Sequence, residues 1–416
     1  MSTTPTADPA TDAMAAVAPA PAARQRVLLH VGTPKTGTSY LQDVLFRNRE
    51  VLRGHGILYP ADRFDGHFLA ALDLMRLTWG GLETEAVGAW DRLAEQVRAW
   101  PGTSIISHEI LSTASPTQVD RALTSFGEGV EVHVIVSVRD LVRQVPAEWQ
   151  ENVKHRSLVS YAHFLEMIRD PARDTRIGSW FWGAQEIPDI LDRWGAILPP
   201  EQVHLVTVPR PGAAPDELWR RFSHAFGLDG IDLDLTPERA NPSLGVPETA
   251  LLRLVNKRVT QVVDPPDYRP LVRELLAHQT LSRRTGSARL GLPPDTHEWV
   301  QDLSRSWVAE VEKRGYDVVG DLADLLGAPS GTFVDPDTAP AEDLLPAALD
   351  AITALLVEGS RLREVEANLS RELEETRHEL DLARRTNAER AVQALEARPA
   401  GRRALGIYRR VRGRHY

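Results

Sequence analysis

Cysteine is absent from all 416 residues, which excludes disulfides, cysteine-ligated zinc, iron–sulfur clusters and a thiol nucleophile. Any metal would need histidine and carboxylate ligands. Also missing is an apolar run near the roughly 20 residues that a membrane-spanning helix requires, and the N-terminus has neither the basic start nor the apolar core of a signal peptide. Positive charge is not in excess. The 48 Lys and Arg face 58 Asp and Glu, a formal net charge of −10 that argues against a general nucleic-acid binder. With 42% hydrophobic and 25% charged residues, most of the chain can bury a core, and a soluble, cytoplasmic protein is the expectation.

Composition divides the chain. Residues 1–24 are Ala, Pro, Thr and Asp without periodicity and read as a disordered tail. Residues 25–327 alternate short apolar runs with amphipathic stretches. Strands are expected at Val27–Val31, Ile57–Tyr59, Ser104–Ile106, Glu131–Ser137 and Val203–Val208. Helices are expected from about Ser39, at 84–100, 116–126, 141–155, 160–169 and 215–226, and then at 247–262, 267–279 and 295–314. That order predicts an α/β fold of three layers, α/β/α, around a mostly parallel sheet.

Residues 328–346 read as a linker, and 347–397 as a helical, coiled-coil-like segment in which Leu355, Leu362, Leu369, Leu373 and Leu380 follow an interrupted seven-residue repeat. That segment suits self-association or a single exposed helix. The basic tail 398–416 carries seven Arg and no acid, a stretch suited to peripheral contact with an anionic membrane or polyanion, or to a solvated tail.

The most informative segment is Gly32-Thr33-Pro34-Lys35-Thr36-Gly37-Thr38-Ser39-Tyr40-Leu41, at the carboxyl end of the first strand and the start of a helix. A parallel sheet places its ligand there. Gly32 and Gly37 allow tight turns, and the amides of Gly37, Thr38 and Ser39 would face an anion along with the positive end of the helix dipole. Thr36, Thr38 and Ser39 add hydroxyls, and Lys35 adds a charge. In the nucleotide-triphosphate loop G-x-x-x-x-G-K-[ST] the lysine follows the second glycine. Here it precedes that glycine by two residues.

The run P-K-T-G-T-S-Y-L resembles the 5′-phosphosulfate loop of sulfotransferases that use 3′-phosphoadenosine 5′-phosphosulfate (PAPS), and the chain is similar to bacterial members of that family over about 26–325. The resemblance implies a P-loop-like fold, PAPS as sulfuryl donor without a metal, and donor binding by Pro34, Lys35, Thr36, Gly37, Thr38 and Ser39. It further implies Arg139, which follows the strand Val132–Ser137, as a 3′-phosphate ligand. The family places a serine eight residues beyond that arginine, where this chain has Ala147. Arg143, Lys154 and Arg156 are candidates to replace the lost contact. The segment Arg239–Gly245 resembles a later loop of bacterial relatives.

Sulfuryl transfer resembles phosphoryl transfer in relying on positioning and charge stabilisation, and the hydroxyl or amine acceptor needs a base. Ser107-His108-Glu109 follows the strand Ser104–Ile106 at the same sheet edge as the loop, and the resemblance implies His108 or Glu109 as catalytic groups beside Lys35. His55 and His67 are weaker candidates. Ser179-Trp180-Phe181-Trp182 either lines an acceptor pocket or packs in the core.

The leading expectation is a PAPS-dependent sulfotransferase acting on a hydroxyl or amine, a carbohydrate or glycolipid among the acceptors considered. A P-loop kinase or ATPase, and a catalytically decayed scaffold, are the alternatives. Removing the seven arginines of the basic tail takes the net charge from −10 to −17, so an anionic donor would have to be held by a local site against the field of the body.

Overall fold

The computed structural model describes residues 25–236 and 243–413. The N-terminal tail, Arg239–Pro242 of the later loop and the last three residues lie outside the described residues. The chain divides into two compact units, Met1–Ala347 and Ala348–Tyr416.

The first unit is built on a six-stranded parallel sheet: β1 (Arg26–Gly32), β2 (Ile57–Leu58), β3 (Thr103–Ser107), β4 (Glu131–Val138), β5 (Val203–Thr207) and β6 (Asp317–Val319). Their spatial order is β2-β3-β1-β4-β5-β6, with every adjacent pair parallel. In β1, alternation of side chains sends Val27, Leu29 and Val31 into one apolar cluster and Leu28 into another. Both faces of the sheet are therefore covered, as the uninterrupted apolar character of the strands requires. Burying each such aliphatic side chain contributes about 1.5–3 kcal/mol. Leu41 and Leu45 of helix Thr38–Arg47, with Phe222 of helix Glu217–Ala225, fill the smaller cluster. Trp90, Trp149 and Trp194 are fully buried in the larger one.

Five strands fall where the hydrophobic runs place them, and β6 is an addition. Its three residues, one of them an exposed aspartate, carry too little apolar pattern to stand out. The helix expected over 84–100 is two, Leu82–Ala86 and Ala89–Ala99, separated at Gly88, which has φ 73°. Helices Gly66–Met75, Arg176–Gln185 and Ile187–Gly195 were not foreseen. Ser115 and Gln118 form a reciprocal capping box at Pro116–Thr124, and Asp140 caps Leu141–Lys154 by accepting from the Arg143 amide at 2.9 Å.

The stretch read as a linker packs within the first unit, with Phe333 against the larger cluster and Asp337 bonded to its neighbours. Asp337 accepts from the Tyr161 and Ala162 amides at 3.0 and 2.9 Å and pairs with Arg253 at 2.8 Å. The helix after it begins at Ala341 and runs to Glu396, and helix Pro399–Arg412 follows, so the arginine-rich end is helical over most of its length. Leu355, Leu362, Leu369, Leu373 and Leu380 are all exposed. Among the described residues no helix is long and apolar enough to cross a membrane.

Candidate functional site

The topology opens a crevice at the carboxyl ends of β1 and β4. These strands are neighbours, yet the chain leaves β1 toward β2 at one edge and β4 toward β5 on the other side. The register between them slips between His30 and Gly32, where β1 turns into the loop. Gly32 has φ 106°, and a Cβ there would lie 2.7 Å from the Glu109 carbonyl oxygen. Gly37 has φ 92°, and a Cβ there would push on the end of the Leu218 side chain at 2.7 Å. Backbone geometry therefore favours both glycines of the loop, and close approach of the Glu109 backbone requires Gly32 as well.

Below the loop lies a buried polar chain. His30 meets Ser107 of β3 through Nδ1 at 2.8 Å and Ser137 of β4 through Nε2 at 2.9 Å. The Thr36 hydroxyl lies 2.6 Å from the Ser137 hydroxyl and donates to the Thr33 carbonyl at 2.6 Å. The Thr33 amide donates to the Ser137 carbonyl at 2.6 Å. This network ties three strands to the loop, and His30, embedded in an apolar run, gave no sequence signal of its part in it. It also corrects the expectation for Thr36, whose side chain is fully buried and supports the loop from beneath instead of offering a hydroxyl to a ligand.

The loop faces a cleft of about 1800 Å³. Pro34, Lys35, Gly37, Thr38, Ser39, His108, Glu109 and Arg139 all line it, so the sequence-derived set apart from Thr36 converges on one place. Helix Thr38–Arg47 begins at Gly37 with no side-chain cap, and Gly37, Thr38 and Ser39 at its start line the cleft. Arg139 donates to the Lys35 carbonyl at 3.2 Å, and its Nε is buried without a hydrogen-bond partner. Burial, reinforced by Arg143, lowers the Arg139 guanidinium to about 10 against the pull of Asp140. It remains a cation with hydrogen-bonding capacity to spare.

Ala147 lines the cleft where the resemblance expects a serine. Of the three residues considered as its replacement, Arg143 is held by Asp140 and the Pro209 carbonyl and lies outside the cleft lining. Arg156 lines the cleft but donates to the Thr260 and Val263 carbonyls, both at 2.7 Å, and lies over the Tyr268 ring. Lys154 lines the cleft beside Glu151.

Comparison of the chain with protein-family models, curated proteins and solved structures found no match. The reading of the site therefore rests on its residues.

The site contains two carboxylates, Glu148 and Glu151, to which the sequence assigns no role. Glu151 is ringed by basic side chains: Lys35 Nζ at 2.5 Å, His155 at 3.1 Å, Arg273 at 3.5 Å and Lys154 at 3.8 Å. Burial raises its carboxyl, but His155, Lys35 and Lys154 outweigh that and hold it well below the ordinary range. One turn earlier, Glu148 is 6% exposed and lines the cleft. Burial pushes its carboxyl up to about 7, with Lys35 opposing and Glu151 adding to the rise. Both glutamates lie on helix Leu141–Lys154, and only the fold shows which of its residues face the loop.

His108 is 9% exposed, and its Nδ1 accepts from the Ile110 amide at 3.3 Å. An amide can only donate, so the neutral ring carries its proton on Nε2. Burial lowers its basicity, Glu109 opposing, and its ring stacks on Phe68. Glu109 accepts from Gln42 at 2.9 Å. Burial raises the Glu109 carboxyl, but His108, a backbone amide, Gln42 and His30 hold it below its usual value. His67 is a buried wall residue whose Nδ1 accepts from the Ser107 amide at 3.2 Å, and burial brings it to about 3. His55 is exposed at a helix end outside the cleft lining. The tryptophan cluster divides: Ser179 and Trp180 line the cleft, while Phe181 and Trp182 are core.

Proposed function

We propose that the protein is a sulfotransferase that takes a sulfuryl group from PAPS and delivers it to a hydroxyl or amine, on a P-loop-like α/β scaffold. The observation that carries this reading is the loop itself: an uncapped helix start, Lys35 and the incompletely bonded Arg139 facing one cleft at the diverging ends of β1 and β4. The residues fit a donor with two anionic ends. The amides of Gly37, Thr38 and Ser39, with Lys35, suit the 5′ phosphosulfate, and Arg139 suits the 3′ phosphate. PAPS, when bound, supplies the sulfuryl group: an S–O bond to a hydroxyl or an S–N bond to an amine forms as the S–O bond to the 5′ phosphate breaks, and the electron pair leaves on adenosine 3′,5′-bisphosphate.

Lys35 is poised to stabilise the negative charge that develops on the leaving phosphate oxygen. To do so it exchanges its ion pair with Glu151 for the ligand. The acceptor proton goes to a base in the same cleft. Among Glu148, Glu109 and His108, Glu148 is the best matched, because a carboxyl near 7 is part ionised at neutral pH and still basic enough to accept a proton. Glu109 is held acidic and bonded to Gln42, and His108 uses its Nδ1 lone pair on a backbone amide, so both act through positioning in this reading.

The test is binding of adenosine 3′,5′-bisphosphate in EDTA, followed by thermal unfolding. Wild type is stabilised by about 3 kcal/mol at a hundredfold excess over Kd, and Lys35→Ala loses that gain. ATP with magnesium stabilising the protein where the bisphosphate does not would favour a kinase or ATPase instead.

A further inference from the structure

The cleft is larger and more positive than a donor site alone requires. Eight Lys and Arg line it against four carboxylates, in a chain whose net charge is −10. Beyond Lys35 and Arg139, the cations come from elements other than the loop and β4. Lys154 ends helix Leu141–Lys154, and Arg273 comes from Arg269–Thr280, a segment wound as a π-helix, a form often found at functional sites. With Lys35 and His155 they surround the carboxylate of Glu151. Arg273 Nε is buried without a hydrogen-bond partner. Burial brings the Lys154 ammonium to about 8, with Glu151 opposing and Lys35 and Arg273 adding to the fall.

Beside this cluster runs a strip of rings. Phe68 stacks on His108 at 5.1 Å and meets Trp79 edge to face at 5.7 Å. Trp79 in turn lies 6.5 Å from Trp180 and 6.1 Å from His155. Asn152, Thr175 and Ser179 add amide and hydroxyl groups to the same lining. Flat aromatic faces rimmed by small polar side chains suit a ring that has an apolar face and hydroxyls at its edge.

We infer that the acceptor is an acidic saccharide, seated with a sugar face on the Trp79–Trp180 strip and its carboxylate on Arg273 and Lys154. This rests on the sulfuryl-transfer reading for the word acceptor, but the binding site can be tested without the donor. Calorimetric titration with a hexuronic-acid hexasaccharide and with its neutral methyl ester compares the same rings with and without charge. The acid binds at least about tenfold more tightly than the ester, equivalent to about 1.4 kcal/mol. Arg273→Gln removes most of that preference, Arg273→Lys restores most of it, and both variants keep the thermal shift with adenosine 3′,5′-bisphosphate, which also shows that they are folded.

Equal binding of acid and ester, or no binding of either by a protein that binds the bisphosphate, overturns this inference and leaves the donor reading standing. Loss of the bisphosphate shift in Arg273→Gln with retention in Arg273→Lys also overturns it, because the cluster would then belong to the donor. Acid-selective binding by a wild-type protein that ignores the bisphosphate supports the saccharide site but removes its role as acceptor.

Discussion

Glu148 carries two consequences that can be separated. A carboxyl raised from 4.5 to about 7 in the folded chain binds its proton more tightly there than in the unfolded chain. Stability from this group is therefore full below about 4.5 and declines as pH rises through about 7. Glu148→Gln keeps the shape without the ionisation. It is expected to raise stability above pH 7 by up to about 3 kcal/mol and to remove the limb of the rate profile that rises through about 7. Denaturant melts and initial rates between pH 5 and 9 measure both, and an unchanged profile assigns the base elsewhere. Gly32 offers a purely steric prediction. With φ 106° and the Glu109 backbone 2.7 Å from its missing Cβ, Gly32→Ala is expected to cost at least about 1–3 kcal/mol in denaturant unfolding. Lys35 was legible in the loop's own chemistry, and Arg139 only through the resemblance, since an arginine after a strand is a weak signal by itself. Glu148 and Glu151 were not, because nothing local says which helical carboxylates meet a lysine more than a hundred residues away.

The unit that fixes the loop is the set β1, β3 and β4 joined through His30. Burial lowers this imidazole to about 3, Glu109 opposing, so it stays neutral in the fold while its unfolded counterpart protonates near 6.5. Its contribution is full above about 6.5 and is lost as pH falls from there toward about 3. His30→Leu is expected to flatten the acid limb of the stability curve and to take the imidazole partner from the Ser107 and Ser137 hydroxyls, Ser137 keeping Thr36, at a cost of about 1–3 kcal/mol at neutral pH. Equilibrium unfolding at pH 5 and pH 7.5 checks both effects, and an unchanged difference between the two pH values would contradict the first. The strands themselves were readable because a parallel sheet buried on both faces writes continuous apolar runs. β6 escaped because it is short, at an edge and partly polar. The helix Arg176–Gln185 escaped because its Trp-rich sequence looks like a cluster of rings, with Trp180 turned to the cleft and Trp182 to the core.

On the scale of the whole chain, charge and site are separated. An acidic protein gathers eight cations around one cleft, and every residue that lines it lies at or before Arg273, within the first compact unit. A chain ending at Ala347 is therefore expected to keep the full thermal shift with adenosine 3′,5′-bisphosphate, measured beside the intact protein; loss of the shift in a folded truncation would place part of the site in the C-terminal unit. The most direct measurement of the central claim is that same shift in the intact protein, in EDTA, for wild type and Lys35→Ala. The account predicts stabilisation of wild type by the bisphosphate, at least equal to that by ATP, and none in the variant. Wild type unmoved at saturating bisphosphate, or moved equally with Lys35 removed, would contradict it.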